Sequence, residues 1–126
     1  MKQLLIIDDD AVIRQSLARV LERSGYQVHT ASSGHQGLRI CEEYAIDLVV
    51  TDIFMPDSDG FEVIMNLKQS HPRIKLITMS GGTRNSSDSA FYLETATDFG
   101  ADHVLKKPFA HDEILVAVAA LLSHTP

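Results

Sequence analysis

The sequence predicts an α/β domain built on a five-stranded parallel sheet, because strand-like and helix-like segments alternate along it. Five short apolar or β-branched runs alternate with segments whose apolar residues recur at helical spacing. Because neighbouring parallel strands need helical crossovers, this alternation favours a parallel sheet with helices on both faces. The chain has 126 residues and shows no linker, repeat or low-complexity segment, so a single domain over residues 1–126 is expected.

The first strand–helix unit shows this alternation clearly. Residues 4–7 are a continuous apolar run that ends at Asp8, as expected of a strand buried on both faces. A helical segment follows and stops at Gly25. Its predicted inner residues are Ile13, Leu17, Val20 and Leu21, and its predicted outer residues are Arg14, Arg19, Glu22 and Arg23.

The later elements continue the same order. The run over 27–31 is more polar and predicts an edge strand, whereas the β-branched run over 48–52 predicts a central one. Pro56 and Gly60 punctuate a turn-rich loop over 55–60. The remaining predicted elements are helices over 34–44, 61–70, 89–99 and 112–122, strands over 74–80 and 103–106, and a polar loop over 81–87.

Composition limits the partners and the location that the chain can have. Its 17 acidic and 11 basic residues give a net charge of −6, which disfavours direct binding to nucleic acid or to an anionic membrane. The single cysteine, Cys41, excludes an internal disulfide and fits a reducing cytoplasm. No apolar run approaches the roughly 20 residues that span a bilayer, and no signal peptide is evident after Met1. A cytoplasmic protein is therefore predicted, with no membrane insertion.

Polar residues follow the predicted strands where each strand ends. Asp8 and Asp9 follow the first strand, Asp52 closes the third, Ser80 closes the fourth, and Lys107 follows the fifth. In open parallel sheets, ligands bind beyond the carboxyl ends of the strands. Carboxylates held close together need a neutralising cation. Lys107 supplies one positive charge, and an all-oxygen set of donors suits Mg²⁺ as a second.

This edge of the sheet has the residues for phosphoryl transfer. A carboxylate is ionised at neutral pH and therefore needs no general base to act as a nucleophile. Phosphoryl transfer depends mainly on in-line positioning and on neutralising the charge of the phosphoryl oxygens. Mg²⁺, Lys107 and the Ser80 hydroxyl could share that neutralisation. An aspartyl phosphate at this edge is chemically coherent.

Four segments, taken in order, resemble the receiver domain of two-component response regulators. They are LLIIDDDAVIR, DLVVTDIFMPDSDGFEV, KLITMSG and GADHVLKKPF, and the likeness runs from about residue 2 to residue 122. The resemblance, which is to the stand-alone, chemotaxis-regulator type, implies a flavodoxin-like, doubly wound sheet with strand order 2-1-3-4-5 and five helices.

The resemblance also implies a role for each site residue. Asp52 is the implied phosphoacceptor, Ser80 and Lys107 are implied to contact the phosphoryl group, and the bond from Lys107 to Pro108 is implied to be cis. The implied Mg²⁺ or Mn²⁺ ligands are Asp8, Asp9, Asp52 and the backbone carbonyl of Phe54.

The implied partners are a sensor histidine kinase or a histidine phosphotransfer protein as donor, and an unknown downstream protein. The chain would catalyse only its own phosphorylation and dephosphorylation. Because the sequence contains no output domain, a stand-alone receiver, a phosphorelay intermediate and a piece of a longer protein all stay open. Val12 falls off the predicted core face beside the acidic edge and is a candidate contact for the donor. Val116 and its neighbouring alanines leave a homodimer open.

Two departures from the family pattern and two alternatives remain. The stretch from Ser80 to Lys107 is several residues longer than is usual in the family, with the excess expected over 81–88. Val104 stands where the family normally has Tyr or Phe, so rotation of an aromatic ring cannot carry the signal there. The run from Asp8 to Val12 also fits the D-x-D-x-[TV] pattern of haloacid-dehalogenase-type phosphatases, with Asp8 as nucleophile and Asp10 as acid and base; in the receiver interpretation, Asp10 caps the first helix. The second alternative is an interaction domain that does not use phosphorylation.

Overall fold

In a computed structural model of the chain, the described residues are 1–55, 58–80 and 100–123. They form seven strands and four helices. The strands are β1 (Gln3–Ile7), β2 (Gln27–Ala31), β3 (Leu48–Asp52), β4 (Phe54–Met55), β5 (Ser58–Asp59), β6 (Lys75–Ser80) and β7 (His103–Lys106). The helices are α1 (Ala11–Arg23), α2 (Gly34–Glu43), α3 (Gly60–Ser70) and α4 (His111–Ser123).

Five of the strands form one parallel sheet in the order β2-β1-β3-β6-β7. Numbered among themselves along the chain, they have the order 2-1-3-4-5, which confirms the predicted flavodoxin-like topology. Every residue of β3 is buried, as its β-branched sequence predicted for a central strand. Four helices lie within the described part of the chain; the predicted helix over 89–99 and the loop over 81–87 lie outside it.

Among the described residues, two helices cover each face of the sheet. Helices α1 and α4 pack on one face against Leu4 and Ile6 of β1. Helices α2 and α3 pack on the other face against Leu5 and Ile7. Removing these apolar side chains from water holds the layers together. The buried polar residues of the described chain lie at the carboxyl ends of strands or within two residues of them: Asp8, Thr51, Asp52, Thr78 and Ser80.

Helix α1 begins directly beyond the acidic turn that follows β1. The Asp10 carboxylate accepts hydrogen bonds from the amides of Val12 and Ile13, at 2.9 and 3.4 Å. This satisfies amides that have no partner inside the helix. The helix stops before Gly25, whose φ of +97° is a conformation that glycine adopts without strain. The predicted cap and stop are both confirmed, and the cap ties the acidic turn to the helix.

The segment after β3 differs from its prediction. The sequence predicted a turn-rich loop over 55–60, but β4 and β5 form a short antiparallel pair and α3 begins at Gly60. Strands of two residues are too short for hydrophobic periodicity to reveal.

Within the described ranges, no helix combines the length and the apolar character needed to cross a bilayer.

Candidate functional site

The ammonium group of Lys107 joins two carboxylates at the carboxyl edge of the sheet. Its Nζ lies 3.0 Å from Asp8 Oδ2 and 2.9 Å from Asp52 Oδ2. Asp8 is fully buried, and Asp52 is 6% exposed. These residues follow β1, close β3 and follow β7, so the fold brings together groups that are far apart in sequence. The predicted convergence of Asp8, Asp52 and Lys107 is therefore present.

Asp9 adds a third carboxylate to this group. One carboxylate oxygen each from Asp8, Asp9 and Asp52 lies within 4.8 Å of the others. The donors are all hard oxygen atoms, and Asp9 is exposed to solvent whereas the other two are buried. Mg²⁺ binds through a few carboxylates and keeps several waters, so one solvent-facing side suits it. The residues present fit a small divalent cation.

Asp8 is held by contacts on both its backbone and its side chain. Its amide donates to the Ala31 carbonyl at 3.1 Å, and its Oδ1 accepts from the Asp10 amide at 2.9 Å. Its own carbonyl accepts a hydrogen bond from Arg14 Nη1 at 2.7 Å. With Lys107 on Oδ2, each polar group of Asp8 has a partner. A buried carboxylate requires such partners, because an unpaired charge away from water is costly.

Arg14 is the residue that the sequence interpretation misplaced. The helical pattern assigned it to the outer face of α1, but its side chain is half-buried and reaches back to Asp8. Side chains on a helix lean towards its N-terminus, so a long side chain in the first turn can cover the segment before the helix. That directional rule, applied to Arg14, was the signal available in the sequence.

The ion pairs control the protonation of Lys107. Burial alone lowers the pKa of its ammonium, but hydrogen bonds and charge attraction from Asp52 and Asp8 outweigh burial and raise that pKa above its usual value. The Lys107 amide also donates to the Ser80 carbonyl at 2.6 Å, and the Lys107–Pro108 bond is cis, as expected. Lys107 is therefore a fixed positive charge at neutral pH.

Two further predicted site residues, Ser80 and Phe54, are close to Asp52 in strand register or in sequence. Ser80 is fully buried and ends β6, one position beyond the residue that pairs with Asp52 in the register. Phe54 begins β4, two residues after Asp52, and its side chain lies outside the described set. Ser80 is thus at the predicted edge of the five-stranded sheet, whereas Phe54 belongs to the two-stranded sheet of β4 and β5.

Val104 lies in register with Thr78 on the neighbouring strand. It is half-buried and packs against the core beneath α2 and α3. Successive residues of a strand point to opposite faces of the sheet. Leu105 packs beneath α1 and α4, so the exposed His103, two residues before it, is on that face and opposite to Val104. An aliphatic side chain therefore occupies the position beside the fully buried Thr78.

A shallow groove adjoins the acidic site. Val12, at its margin, is 75% exposed. The groove has a volume of about 450 Å³ and is formed by the first turns of α1 and the segment from Lys107 to Phe109, with His111 at its edge. Single exposed apolar side chains are common, but Val12 lines the same groove as Lys107. The prediction that Val12 lies outside the core is confirmed.

The doubly wound parallel sheet, with a cluster of carboxylates at its carboxyl edge, defines the class of α/β domain to which the chain belongs. The family model described as response regulator receiver domain matches residues 4–119. The chain belongs to this family. Receiver domains are signalling modules of two-component systems that interact with histidine kinases and downstream effectors, and nothing in these likenesses supports the phosphatase alternative.

Curated relatives and solved structures agree with this assignment. The response regulator MprA of Mycolicibacterium vanbaalenii is 35% identical over 123 residues, which are 98% of this chain and 51% of that protein. MprA of Mycobacterium leprae is 34% identical, with 98% of this chain and 52% of that protein covered. The chain thus spans about half the length of the curated relatives it matches.

Among solved structures, a response regulator receiver domain protein from Clostridium thermocellum superposes with a TM-score of 0.87 and 31% identity, covering 98% of this chain and 95% of that one. The receiver domain of NtrX from Brucella abortus gives a TM-score of 0.86 at 27% identity, covering 97% and 99%.

Proposed function

We propose that Asp52 accepts a phosphoryl group from a phosphohistidine, carried by a sensor histidine kinase or a histidine phosphotransfer protein. The observation that carries this proposal is the placement of one ammonium, from Lys107, between the carboxylates of Asp52 and Asp8. Phosphoryl transfer depends on neutralising the negative charge of the phosphoryl oxygens. A cation fixed beside the buried carboxylate of Asp52 would supply that neutralisation and so favour transfer to Asp52.

In the transfer step, an Asp52 carboxylate oxygen attacks phosphorus while the bond from phosphorus to the donor imidazole nitrogen breaks. The electron pair of that bond stays on the nitrogen, and the imidazole leaves as a neutral group when its ring carries one proton. Asp52 needs no base, because its carboxylate is already ionised. Lys107 stays protonated, and its ammonium group exchanges its ion pair with the Asp52 carboxylate for one with the phosphoryl oxygens. Ser80, at the end of β6, would contact the same oxygens.

The metal ligands proposed for Mg²⁺ or Mn²⁺ are the carboxylates of Asp8, Asp9 and Asp52 and the backbone carbonyl of Phe54. A bound divalent ion would supply positive charge to the phosphoryl oxygens and offset repulsion among the carboxylates. Asp8 already shares both carboxylate oxygens with Lys107 and the Asp10 amide, so its contact is expected to run partly through water. Asp9, which is exposed, offers the more direct ligand.

The experiment that tests this proposal labels the protein with acetyl phosphate in the presence of Mg²⁺. Wild-type protein should form a base-labile phosphoryl adduct on Asp52, and Asp52→Asn should form none. Asp47→Asn is the matched control, because Asp47 lies at the other end of β3 and should label normally. Label that survives in Asp52→Asn but disappears in Asp8→Asn would instead support the phosphatase. Absence of label from acetyl phosphate and from every kinase would leave the phosphorylation-independent interaction domain.

The phosphodonor is proposed to dock on the groove beside Val12. A donor histidine must come within bonding distance of Asp52, and this groove borders the Lys107 side of the site. The exposed Val12 side chain offers apolar area for a donor helix. Val12→Gln should slow transfer from a cognate kinase and leave labelling by acetyl phosphate, which needs no docking, unchanged. Equal slowing with both donors would place the defect in the chemistry and contradict the docking role.

A further inference from the structure

We propose that Arg14 is a positioning residue of the acidic site, which holds the turn from Asp8 to Asp10 in the shape that binds the cation. This inference rests on the proposed function, because it concerns the same site. Arg14 Nη1 donates to the Asp8 carbonyl at 2.7 Å. No other arginine side chain in the described ranges makes a hydrogen bond or an ion pair with this turn.

Arg14 is tied to the turn twice. Its side chain reaches the Asp8 carbonyl, and its amide donates to the Asp10 carbonyl at 3.0 Å as the first backbone bond of α1. Asp10 in turn caps the helix through the amides of Val12 and Ile13. The acidic turn is therefore held to the first turn of α1 at both Asp8 and Asp10, and Arg14 supplies the side-chain donor from α1.

The clamp acts on the residues that would hold the cation. The Asp10 amide donates to Asp8 Oδ1, so movement of the turn would move the Asp8 carboxylate. Asp9 lies between these two residues and is exposed, so its position depends on the backbone on either side of it. Groups that orient metal ligands without touching the metal commonly change metal affinity when they are removed.

Charge and position have opposite effects on cation binding, and this makes the proposal testable. Arg14 is a cation near carboxylates, so its charge alone weakens binding of Mg²⁺, and its removal should tighten binding if charge is its whole contribution. If Arg14 positions the turn, its removal should weaken binding. High salt separates the two, because screening at about 1 M reduces charge effects to a range of about 3 Å and leaves hydrogen-bond geometry in place.

The experiment compares wild type, Arg14→Met, Arg14→Lys and Arg19→Met as full chains, titrated with Mg²⁺ alone in low and in high salt by calorimetry. Arg14→Met keeps most of the apolar stem and should bind Mg²⁺ roughly tenfold more weakly in high salt. In low salt the defect should be smaller, because loss of the Arg14 charge offsets part of it. Arg14→Lys retains a charged donor of similar reach and should recover most of the affinity. Arg19 is exposed on the same helix and makes no such contact in the described chain, so Arg19→Met should bind as wild type does.

A second readout needs no metal. In the metal-free protein, hydrogen exchange of the Asp10 amide should be faster in Arg14→Met than in wild type, relative to amides in the middle of α1. A purely structural role would lower the urea midpoint without changing Mg²⁺ affinity in the folded protein, and that result overturns the proposal. Unchanged or tighter Mg²⁺ binding by Arg14→Met overturns it as well. Failure of the wild type to bind Mg²⁺ would overturn the proposed metal site together with this inference.

Discussion

Both ends of the sheet carry aspartates, but the side chains at the two ends bind different kinds of partner. At the amino end, the carboxylates of Asp47 and Asp102 each accept a hydrogen bond of 2.8 Å from a strand amide. At the carboxyl end, those of Asp8 and Asp52 converge on Lys107, at 3.0 and 2.9 Å. The same residue type therefore closes strand ends in one place and concentrates charge in the other.

The difference shows how a structural carboxylate can be distinguished from a candidate functional one. Asp47 binds the first amide of β1, and Asp102 binds the second residue of β6, so each satisfies a backbone group that a strand end would leave open. Lys68 adds a partly exposed ion pair to Asp102 at 3.2 Å. The cluster at the carboxyl end instead brings like charges together, which costs free energy unless a cation is present.

The largest expected effect comes from removing Lys107, and removal of Lys68 at the other end is the comparison. Lys107→Met should slow labelling by acetyl phosphate by about 10²- to 10³-fold, because it removes the fixed cation at the phosphoryl oxygens. Lys68→Met should label at the wild-type rate and lose no more than about 1 kcal/mol of unfolding free energy, since its ion pair is partly exposed. Label incorporation over time and urea unfolding measure the two quantities. Equal labelling by both variants would remove the distinction between the ends.

Much of this contrast could be predicted from the sequence, because it depends on where strands end. The strands over 27–31, 48–52 and 103–106 were predicted with the bounds that the structure has, since apolar and β-branched runs stop abruptly at polar residues. Placing Asp8, Asp52 and Lys107 at one edge then followed from parallel topology. The contact from Arg14 to Asp8 could not be derived from periodicity, because it depends on the reach and direction of one side chain.

The hydrophobic layer beneath the acidic turn offers the next largest effect. Helix α2 approaches β1 so closely at Gly37 that a Cβ there would overlap the side chain of Ile7, the residue before Asp8. Gly37→Ala should therefore lower the unfolding free energy by about 1–3 kcal/mol, as overpacking of a core does. Urea denaturation measures this loss. A stability equal to wild type would show that α2 can shift without strain.

The amino end can be tested through its own carboxylate. Asp47→Ala removes the acceptor for the Gln3 amide, and the unpaired donor should cost about 1–3 kcal/mol of stability. Labelling of the folded protein should not change, because Asp47 lies at the opposite end of β3 from Asp52. Asp47→Asn keeps an oxygen acceptor and should lose less. A labelling defect in Asp47→Ala, measured where the protein is fully folded, would contradict the separation of the two ends.

The smallest expected effect distinguishes two hydroxyls directly beneath the acidic edge. Thr51 and Thr78 are fully buried and lie in register on β3 and β6. The Thr51 hydroxyl donates to the Asp52 carbonyl at 3.2 Å, whereas Thr78 Oγ1 has no hydrogen-bond partner among the described residues. Thr51→Val should therefore lower the unfolding free energy by about 1 kcal/mol, since it removes a hydrogen bond of ordinary strength.

Thr78→Val should leave stability unchanged or raise it by about 1 kcal/mol, because a buried hydroxyl without a partner costs free energy that a methyl group does not. Paired urea titrations of the two variants give the sign of each effect with wild type as reference. Loss of stability in Thr78→Val equal to that in Thr51→Val would mean that the Thr78 hydroxyl is satisfied in solution. In the expected case, the polar character of this end of the sheet is confined to the strand ends, and the row beside Val104 behaves as ordinary core.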